Sequence, residues 1–372
     1  MIRNMAYKFR IYPTKEQEEL IQKTFGCCRF VYNNFLALKS NTYENEKKNI
    51  TYGQCCKMLT EMKKEKEWLK EVDSDALQKE LKNLNQAYDN FFKKRAKYPK
   101  FKSKKNNHKS YTATQNRTME VRENLIKLPK LKWVKAVTHR EVEGRILNAT
   151  ISQNPSGEYY VSLCCEVDIE QLPYNKNQVG IDLGLTDLAI LSDGIKFPRV
   201  RFIKNTEKKL AREQRKISRM EKGSNNYNKQ RVKIAKIHQI LVRQRKEYLN
   251  IITSIIVNNY GLICMEDLNS SGLMRNKKLS KQIADVSWFE FYRQLNYKSE
   301  WYGRDLILID KWYPSSQICS KCGYRDGKKP LNIREWTCSK CGKHHDRDIN
   351  ASINILNEGR RIWSMQQTPQ VV

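Results

Sequence analysis

No apolar run in this 372-residue chain approaches the roughly 18 residues that a membrane-spanning helix needs, which excludes a role built on helices embedded in a bilayer. Acidic residues are also short: 40 Asp and Glu face 70 Lys and Arg, a formal charge of +30. Between Lys93 and Lys109 there is no acid at all, against nine basic residues. A chain this basic, with no membrane segment, is expected to meet a polyanion, and nucleic acid fits better than a lipid surface. Its nineteen Tyr and seven Trp are spread among the basic residues as stacking platforms would be. No apolar stretch follows Met1-Ile2-Arg3-Asn4, so a reducing, cytoplasmic setting and unpaired thiols are expected. No second Gly-rich phosphate loop follows Gly180-Ile181-Asp182-Leu183-Gly184-Leu185, which argues against the ATPases that begin a phosphate-binding hairpin with a similar Asp-x-Gly turn.

Against that background the cysteines are informative. Cys319-Ser320-Lys321-Cys322 and Cys338-Ser339-Lys340-Cys341 stand with fifteen residues between the inner pair. Two such CxxC turns close a tetrahedron of thiolates around Zn²⁺ with no open position, so Cys319, Cys322, Cys338 and Cys341 predict a structural zinc site. Cys27, Cys28, Cys55, Cys56, Cys164 and Cys165 are adjacent pairs inside apolar stretches and are expected to be buried free thiols; Cys264 is the one other cysteine.

Tyr7, Phe9 and Ile11 alternate with basic and polar residues, a strand that Pro13 ends. Thr14-Lys15-Glu16-Gln17 reads as a capping box opening a helix that should stop near Gly26, before a second helix carrying Phe30, Val31, Phe35 and Leu38. Leu77, Leu81, Leu84, Tyr88 and Phe91 mark a third. Residues 125–134 and 149–167 read as strands, with Asn154-Pro155-Ser156-Gly157 as a hairpin turn. The helices of 14–95 would therefore be inserted in a small β-barrel made from 1–13 and 96–172. After a linker at 171–178, short strands at 179–183, 188–191, 261–265 and 306–309 give an α/β pattern. Residues 201–250 hold sixteen Lys and Arg against four acids, with Ile234, Ile237, Leu241, Tyr248, Ile252 and Ile255 at helical spacing. This predicts a helical hairpin with one packed seam and one basic face. Asp348 is expected to cap the last helix, and the tail after Gly359 to be frayed.

Three carboxylates fall at the ends of these elements: Asp182, Glu266 and Asp348. An acid leaving a strand is more often a turn residue than a ligand, so none of them carries weight alone. Together they could hold Mg²⁺, which binds a few carboxylates and keeps open positions for phosphate oxygens and water.

The ordered set Tyr7-Lys8-Phe9-Arg10-Ile11-Tyr12-Pro13-Thr14, Gly26-Cys27-Cys28-Arg29-Phe30-Val31-Tyr32-Asn33, Tyr98-Pro99-Lys100-Phe101-Lys102-Ser103, Gly180-Ile181-Asp182-Leu183-Gly184, Met265-Glu266-Asp267-Leu268, and Ser315-Ser316-Gln317-x-Cys319 through His345-Asp346-Arg347-Asp348-Ile349-Asn350-Ala351 resembles TnpB along nearly the whole chain. TnpB proteins are transposon-encoded RNA-guided nucleases related to the ancestors of type V CRISPR effectors. The resemblance implies a multidomain α+β and α/β fold: a wedge β-barrel (1–13 and 96–172) with an inserted helical recognition domain (14–95). A RuvC nuclease domain of RNase H fold (178–312 and 346–358) would follow, with an inserted zinc ribbon (313–345). It makes Asp182, Glu266 and Asp348 the catalytic Mg²⁺ ligands, Asp348 rather than Asp346 because it precedes x-Asn-Ala, and leaves Asp346 and Asp187 structural. It implies a guide RNA from the transposon end, a target duplex read beside a short motif, and Mg²⁺-dependent hydrolysis of both strands. Candidate nucleic-acid contacts are Lys93, Lys94, Arg95, Lys97, Lys100, Lys102, Lys104, Lys105, Arg212, Arg215, Lys216, Arg219, Arg243 and Arg245, with Tyr98, Phe101 and Tyr111 to stack bases. Ser270-Ser271-Gly272 would be a hinge for a lid.

Three other functions share parts of this pattern. A guided DNA-binding repressor would have lost an acid, and all three are acidic here. A transposase that joins DNA ends through a Tyr nucleophile needs paired histidines, and His108, His139, His238, His344 and His345 contain no His-x-His. A miniature CRISPR effector has the same protein parts, and only genomic neighbourhood would separate it.

Overall fold

The structure is a computed structural model that describes residues 1–105, 108–114, 118–268, 280–330 and 332–367. It forms two compact units, Ile2–Asp168 and Met1 with Ile169–Val372. The Ser270-Ser271-Gly272 hinge lies outside the described residues.

In the first unit, β1 (Ile2–Tyr12) leads into α1 (Lys15–Glu46), α2 (Tyr52–Glu65) and α3 (Ser74–Phe92). Six strands follow: β2 (Lys109–Ala113), β3 (Glu120–Arg122), β4 (Leu125–Leu128), β5 (Lys132–Val137), β6 (Arg145–Gln153) and β7 (Tyr159–Asp168). All seven make one antiparallel sheet in the order β2-β6-β7-β1-β5-β4-β3, with the helices inserted between β1 and β2. Register is set by matching apolar faces, since a one-residue slip would turn every side chain over. Tyr7 pairs with Leu163 and Phe9 with Val161, all four buried. The 154–157 hairpin turn is closed by Gly157 N donating to Asn154 O at 3.0 Å, with Gly157 at φ +84°.

The capping box at Thr14 forms, Gln17 N donating to Thr14 Oγ1 at 3.3 Å and Thr14 N to Gln17 Oε1 at 3.0 Å. The expected break at Gly26 does not occur, and α1 runs unbroken for 32 residues. A mid-helix glycine costs about 1 kcal/mol. The continuous stripe of Ile21, Phe25, Cys28, Val31, Tyr32 and Phe35 is buried, at about 1.5–3 kcal/mol for each large side chain, and outweighs it. Tyr111, expected to stack a base, is instead buried on β2 with its ring 5.7 Å from that of Phe25.

In the second unit, β8 (Gln178–Asp182), β9 (Asp187–Leu191) and β10 (Lys196–Pro198) form an antiparallel meander. α4 (Phe202–Ser218) and α5 (Asn225–Asn259) form the basic hairpin. β11 (Leu262–Glu266), α6 (Ser280–Val286), α7 (Trp288–Tyr302) and β12 (Asp305–Ile309) follow. The chain then passes through β13 (Glu335–Thr337) and β14 (His344–Asp346) into α8 (Arg347–Gln367). The sheet order is β10-β9-β8-β11-β12, with β8, β11 and β12 parallel, the RNase H arrangement.

Strand alternation sorts this sheet into two faces. Val179, Ile181, Ile263 and Met265 meet Leu249, Ile252 and Ile256 of α5 and Phe291 and Leu295 of α7. On the other face Leu262, Cys264, Ile307 and Ile309 meet Ile355 and Leu356 of α8. In the hairpin, Ile237, Leu241 and Ile252 are buried, whereas Ile255 is 41% exposed because the seam rotates onto Thr253, Ile256 and Val257.

The frayed tail expected after Gly359 is corrected by α8, which continues to Gln367. Gly359 is a packing residue: a Cβ there would stand 2.3 Å from Cys264 Sγ. The last turns are held by Ile362 and Trp363 on the α8-side cluster, Trp363 Nε1 donating to Asp305 Oδ2 at 2.9 Å.

Candidate active site and zinc ribbon

β8 and β11 run parallel in the register Leu262↔Gln178 through Met265↔Ile181. The next step brings Glu266 beside Asp182 at the C-terminal edge of the sheet. Period-2 alternation places both on the face that carries Gly180 and Cys264, the face α8 covers. Asp182 is pushed up to about pKa 8, first by burial and then by the charges of Glu266 and Asp348. Burial also raises Glu266, opposed by Ser315 Oγ, which donates to Glu266 Oε1 at 2.7 Å. The three acids from remote stretches of sequence thus share one electrostatic field.

α8 reaches this edge because Gly180 lets it. A Cβ at Gly180 would sit 2.0 Å from Ser352 O and 2.6 Å from Leu356 N, both main-chain atoms. We predict that Gly180→Ala pushes α8 off the sheet, lowering the melting temperature by several degrees, as a loss of about 1–3 kcal/mol from overpacking implies, and cleavage at least tenfold. Unchanged melting and cleavage would show that the contact is not needed.

The cap of α8 differs from expectation. Asp346, not Asp348, is the N-cap: its Oδ1 accepts from Asp348 N at 2.9 Å and Ile349 N at 3.0 Å, while Oδ2 pairs with Lys196 Nζ at 2.7 Å. A side chain two residues before the accepted amide has the reach for this bond, whereas Asp348 already lies inside the first turn. Asp348 is left to meet Arg334, whose Nη1 is 3.1 and 3.3 Å from its two oxygens and whose Nη2 donates to Thr186 Oγ1 at 3.2 Å.

Around the cysteines, two turns repeat the same hydrogen bonds. Cys319 N donates to Tyr324 O and Gly323 N to Cys319 O, both at 2.9 Å; Cys338 N donates to Lys343 O at 2.9 Å and Gly342 N to Cys338 O at 3.0 Å. Gly323 and Gly342 adopt φ +71° and +66°, a left-handed conformation that favours glycine. All four Sγ atoms lie within 4.8 Å of one another, with Cys319–Cys341 and Cys322–Cys338 both at 3.7 Å. A tetrahedron with Zn–S near 2.3 Å has edges of about 3.8 Å, so the cluster fits a structural zinc site. His345 Nε2 stands 3.1 Å from Cys319 Sγ, placed to support that thiolate.

The ribbon is tied to the acids by α8. Asn350 Nδ2 donates to Ile318 O at 2.7 Å and its Oδ1 accepts from Ser320 N at 2.9 Å; Asn354 Nδ2 donates to Ser315 O at 2.8 Å and Ile318 O at 2.7 Å. Ser315, the donor to Glu266, is therefore anchored from the same helix that carries Asp348. Asn354, Arg334 and Lys196 have no spacing signal that would mark these roles, and Ser315 and Asn350, though they fall inside the motifs quoted above, gain theirs only in the fold.

The chain is similar to known proteins along nearly its whole length. Models described as “Helix-turn-helix domain”, “Probable transposase” and “Cas12f1-like, TNB domain” match residues 1–48, 162–277 and 288–355. A Streptomyces pristinaespiralis protein named “Putative RNA-guided DNA endonuclease” is 39% identical over 95% of this chain and 89% of its own. An Escherichia coli (strain K12) protein, “Putative RNA-guided DNA endonuclease InsQ”, is 35% identical over 100% and 96%. A “TnpB-like protein” of Acanthamoeba polyphaga mimivirus is 23% identical over 97% and 74%. The chain belongs to the TnpB family. Its fold is shared with a Cas12f1 chain solved in an sgRNA–target DNA complex, at TM-score 0.52 and 13% identity over 96% of this chain and 99% of that one.

Most of the candidate basic residues of this TnpB-family chain are exposed. Lys93, Lys94, Arg95, Lys97, Lys100, Lys104 and Lys105 are exposed. Lys102 is turned to structural use: its ammonium pairs with buried Glu80 and lies 4.3 Å from the centre of the Tyr32 ring, and Asn33 bonds its backbone on both sides. Tyr98 is packed edge-on against Phe91 and Tyr88, and Phe101 is exposed.

On α4 and at its C-cap, Lys208, Lys209, Arg212, Arg215, Lys216 and Arg219 line one groove. The acid among them, Glu213, is fully buried and held well below the usual carboxylate range, first by the hydrogen bond from Gln230 and also by Lys233 and Lys216. The outward face is therefore more uniformly positive than the sequence count suggests. Arg243 is exposed, but Arg245 is corrected: its Nη2 pairs with buried Asp285 of α6 at 3.0 Å, an internal bond between α5 and α6.

Proposed function

We propose that this protein is an RNA-guided DNA endonuclease of a transposable element, cutting DNA by metal-dependent phosphodiester hydrolysis at Asp182, Glu266 and Asp348. The observation that carries the reading is the convergence of the three acids at one sheet edge, with Asp182 pushed toward its neutral form first by burial and then by the charges of Glu266 and Asp348. A structure that crowds carboxylates in this way is suited to a cation. Their hard oxygen donors fit Mg²⁺, and bound Mg²⁺ would supply an activated water and charge stabilisation for the leaving 3′ oxygen.

The chain's own residues do the positioning. Ser315 orients Glu266, and Asp346 fixes the first turn of α8, which carries Asp348. The guide RNA, made from the transposon end, pairs with target DNA, and the protein reads a short flanking motif. The exposed basic segment 93–105 and the α4 groove contact backbone phosphates, and the helices of 14–95 serve RNA recognition. The ends produced are 5′-phosphate and 3′-hydroxyl. Action on the nucleoid places the protein in the cytoplasm. Among the described residues no helix is long and apolar enough to cross a membrane.

The deciding experiment expresses the chain with its native downstream DNA, sequences the RNA that co-purifies, and presents a matching plasmid library with randomised flanks. A discrete RNA, with Mg²⁺-dependent depletion of one flanking motif, is expected. Motif-specific binding without cuts would establish the repressor instead, and absence of a specific RNA would overturn the guided reading.

Asp182 also predicts a pH signature. It must lose its proton to bind a cation, and it holds that proton to about pH 8. The Mg²⁺ concentration for half-maximal cleavage should therefore fall as pH rises from about 7 to about 9, well above the ordinary carboxylate range. Titrating cleavage rate with Mg²⁺ across that range checks it; a pH-independent midpoint would mean that Asp182 does not bind the cation as a carboxylate.

A further inference from the structure

Directly after β12 the chain makes a tight turn whose two central residues the mechanism above does not use. Tyr313 N donates to Asp310 O at 3.0 Å and Trp312 N to Asp310 Oδ1 at 2.7 Å, which puts Lys311 and Trp312 at the tip. Trp312 is 81% exposed, the most open of the seven tryptophans, in a residue type that is ordinarily well buried. Lys311 is exposed too; its Nζ lies 5.4 Å from the centre of the indole ring, and it makes no ion pair among the described residues. Both ends of the turn are fixed on the acid side of the sheet. Before it, Ile309 pairs with Glu266 in the β11–β12 register, and its carbonyl accepts from Asp267 N at 3.2 Å. After it, Tyr313 packs on the α8-side cluster, and Ser315 Oγ donates to Glu266 Oε1 at 2.7 Å. Trp312 stands three residues from Ile309 and three from Ser315, and three residues span at most about 11 Å.

We propose that Trp312 is a stacking post for one unpaired base of the DNA strand being cut, with Lys311 on a phosphate of the same strand. Every base has a π-face, so an open indole accepts any of them, and the ammonium beside it supplies the attraction to the backbone that a bare ring lacks. The pairing argues against a protein partner, because Lys is depleted in the cores of protein interfaces, whereas a cation beside a ring is what single-stranded nucleic acid meets. The location selects the strand. The segment that carries Trp312 is the one that holds Glu266 from both sides, so a strand whose phosphate reaches the acids passes the turn within a few nucleotides. A base stacked there has left its own duplex, so the post favours unpaired over duplex DNA and holds the strand in one register against the acids. Trp312 acts by positioning the strand and takes no part in the hydrolysis itself.

This proposal rests on the nuclease reading, and its test separates the two. The full chain with its guide RNA is bound to target DNA carrying photoreactive iododeoxyuridine at successive positions of the displaced strand, on an Asp182→Ala background that leaves the strand uncut. A crosslink to Trp312, located by mass spectrometry of the digested protein, is expected at one or a few adjacent positions beside the bond that the wild type cuts. On the wild-type background, Trp312→Ala should slow cleavage about 5- to 100-fold and spread the cuts over neighbouring bonds. Its melting temperature and guide-RNA binding should be unchanged, because the side chain is exposed. Trp312→Phe, which keeps a ring, should restore most of the rate and the wild-type cut positions. Lys311→Ala should slow cleavage about 2- to 5-fold and flatten its salt dependence. Absence of a crosslink to Trp312, a crosslink that forms only when the label is placed in the guide RNA, or a Trp312→Ala protein that cuts the same bonds at the wild-type rate overturns the post. If the wild type does not cut at all, the nuclease reading fails, while the crosslink walk still decides whether a base stacks on Trp312.

Discussion

Asp182→Ala, Glu266→Ala and Asp348→Ala are each expected to reduce cleavage at least about 10³-fold while guide-RNA and target binding stay within a few-fold of wild type. The magnitude follows from the chemistry: carboxylates that hold the catalytic cation support several kcal/mol of transition-state stabilisation, and about 4 kcal/mol is already ~10³ in rate. On the proposed mechanism binding should survive, because phosphate contacts would be distributed over Lys and Arg side chains elsewhere, and removing an acid from a site that meets phosphate would lower repulsion. The three substitutions should be far from additive, since the acids act as one unit. Cleavage of a guide-matched plasmid and a filter-binding titration check both halves. Loss of RNA binding in all three variants would show that the acids hold the fold together and do not perform hydrolysis. Asp346→Ala offers a contrast: it removes the cap of α8 and the Lys196 pair without removing a ligand, so it should cost about 1 kcal/mol of stability and only part of the activity.

Cys338→Ser is expected to lower bound zinc from about one per chain to near zero and to abolish cleavage, although no cysteine touches the acids. Thiolate binding of structural zinc is worth roughly 10–16 kcal/mol in small domains and is coupled to their folding, so three ligands should not hold the ribbon closed. The route from ribbon to acids is short. Asn350 and Asn354 grip the backbone at Ser315, Ile318 and Ser320, and Ser315 orients Glu266. Arg334, also in the ribbon, faces Asp348. When the ribbon opens, Glu266 loses its donor and Asp348 its partner together. Zinc analysis beside the cleavage assay tests this, and Ser315→Ala, which leaves the metal site intact, should lower cleavage about tenfold with zinc unchanged. Full zinc content and activity in Cys338→Ser would remove the coupling.

What the sequence determined by itself was whatever depends on local pattern or on a fixed chemical geometry. The period-2 alternation of Tyr7, Phe9 and Ile11, the capping box at Thr14, the 154–157 turn and the two CxxC knuckles are each written within a few residues, and the structure forms them as expected. The ordered motifs that mark the family also singled out Asp182, Glu266 and Asp348 as the candidate acids. Tertiary packing decided the rest, because it sets energies that no short window contains. Gly26 and Gly359 look like helix stops, yet buried stripes carry α1 and α8 through them. Lys102 and Arg245 look like phosphate contacts, yet Glu80 and Asp285, distant in sequence, claim their charges. Asp348 looks like a cap until the fold gives that task to Asp346 and presents Asp348 to Asp182 across a helix–strand contact that only Gly180 permits. Charge and hydrophobic period are properties of the chain, but which charge is neutralised, and which carboxylate meets another, depends on distances that exist only after the sheet has closed against α8.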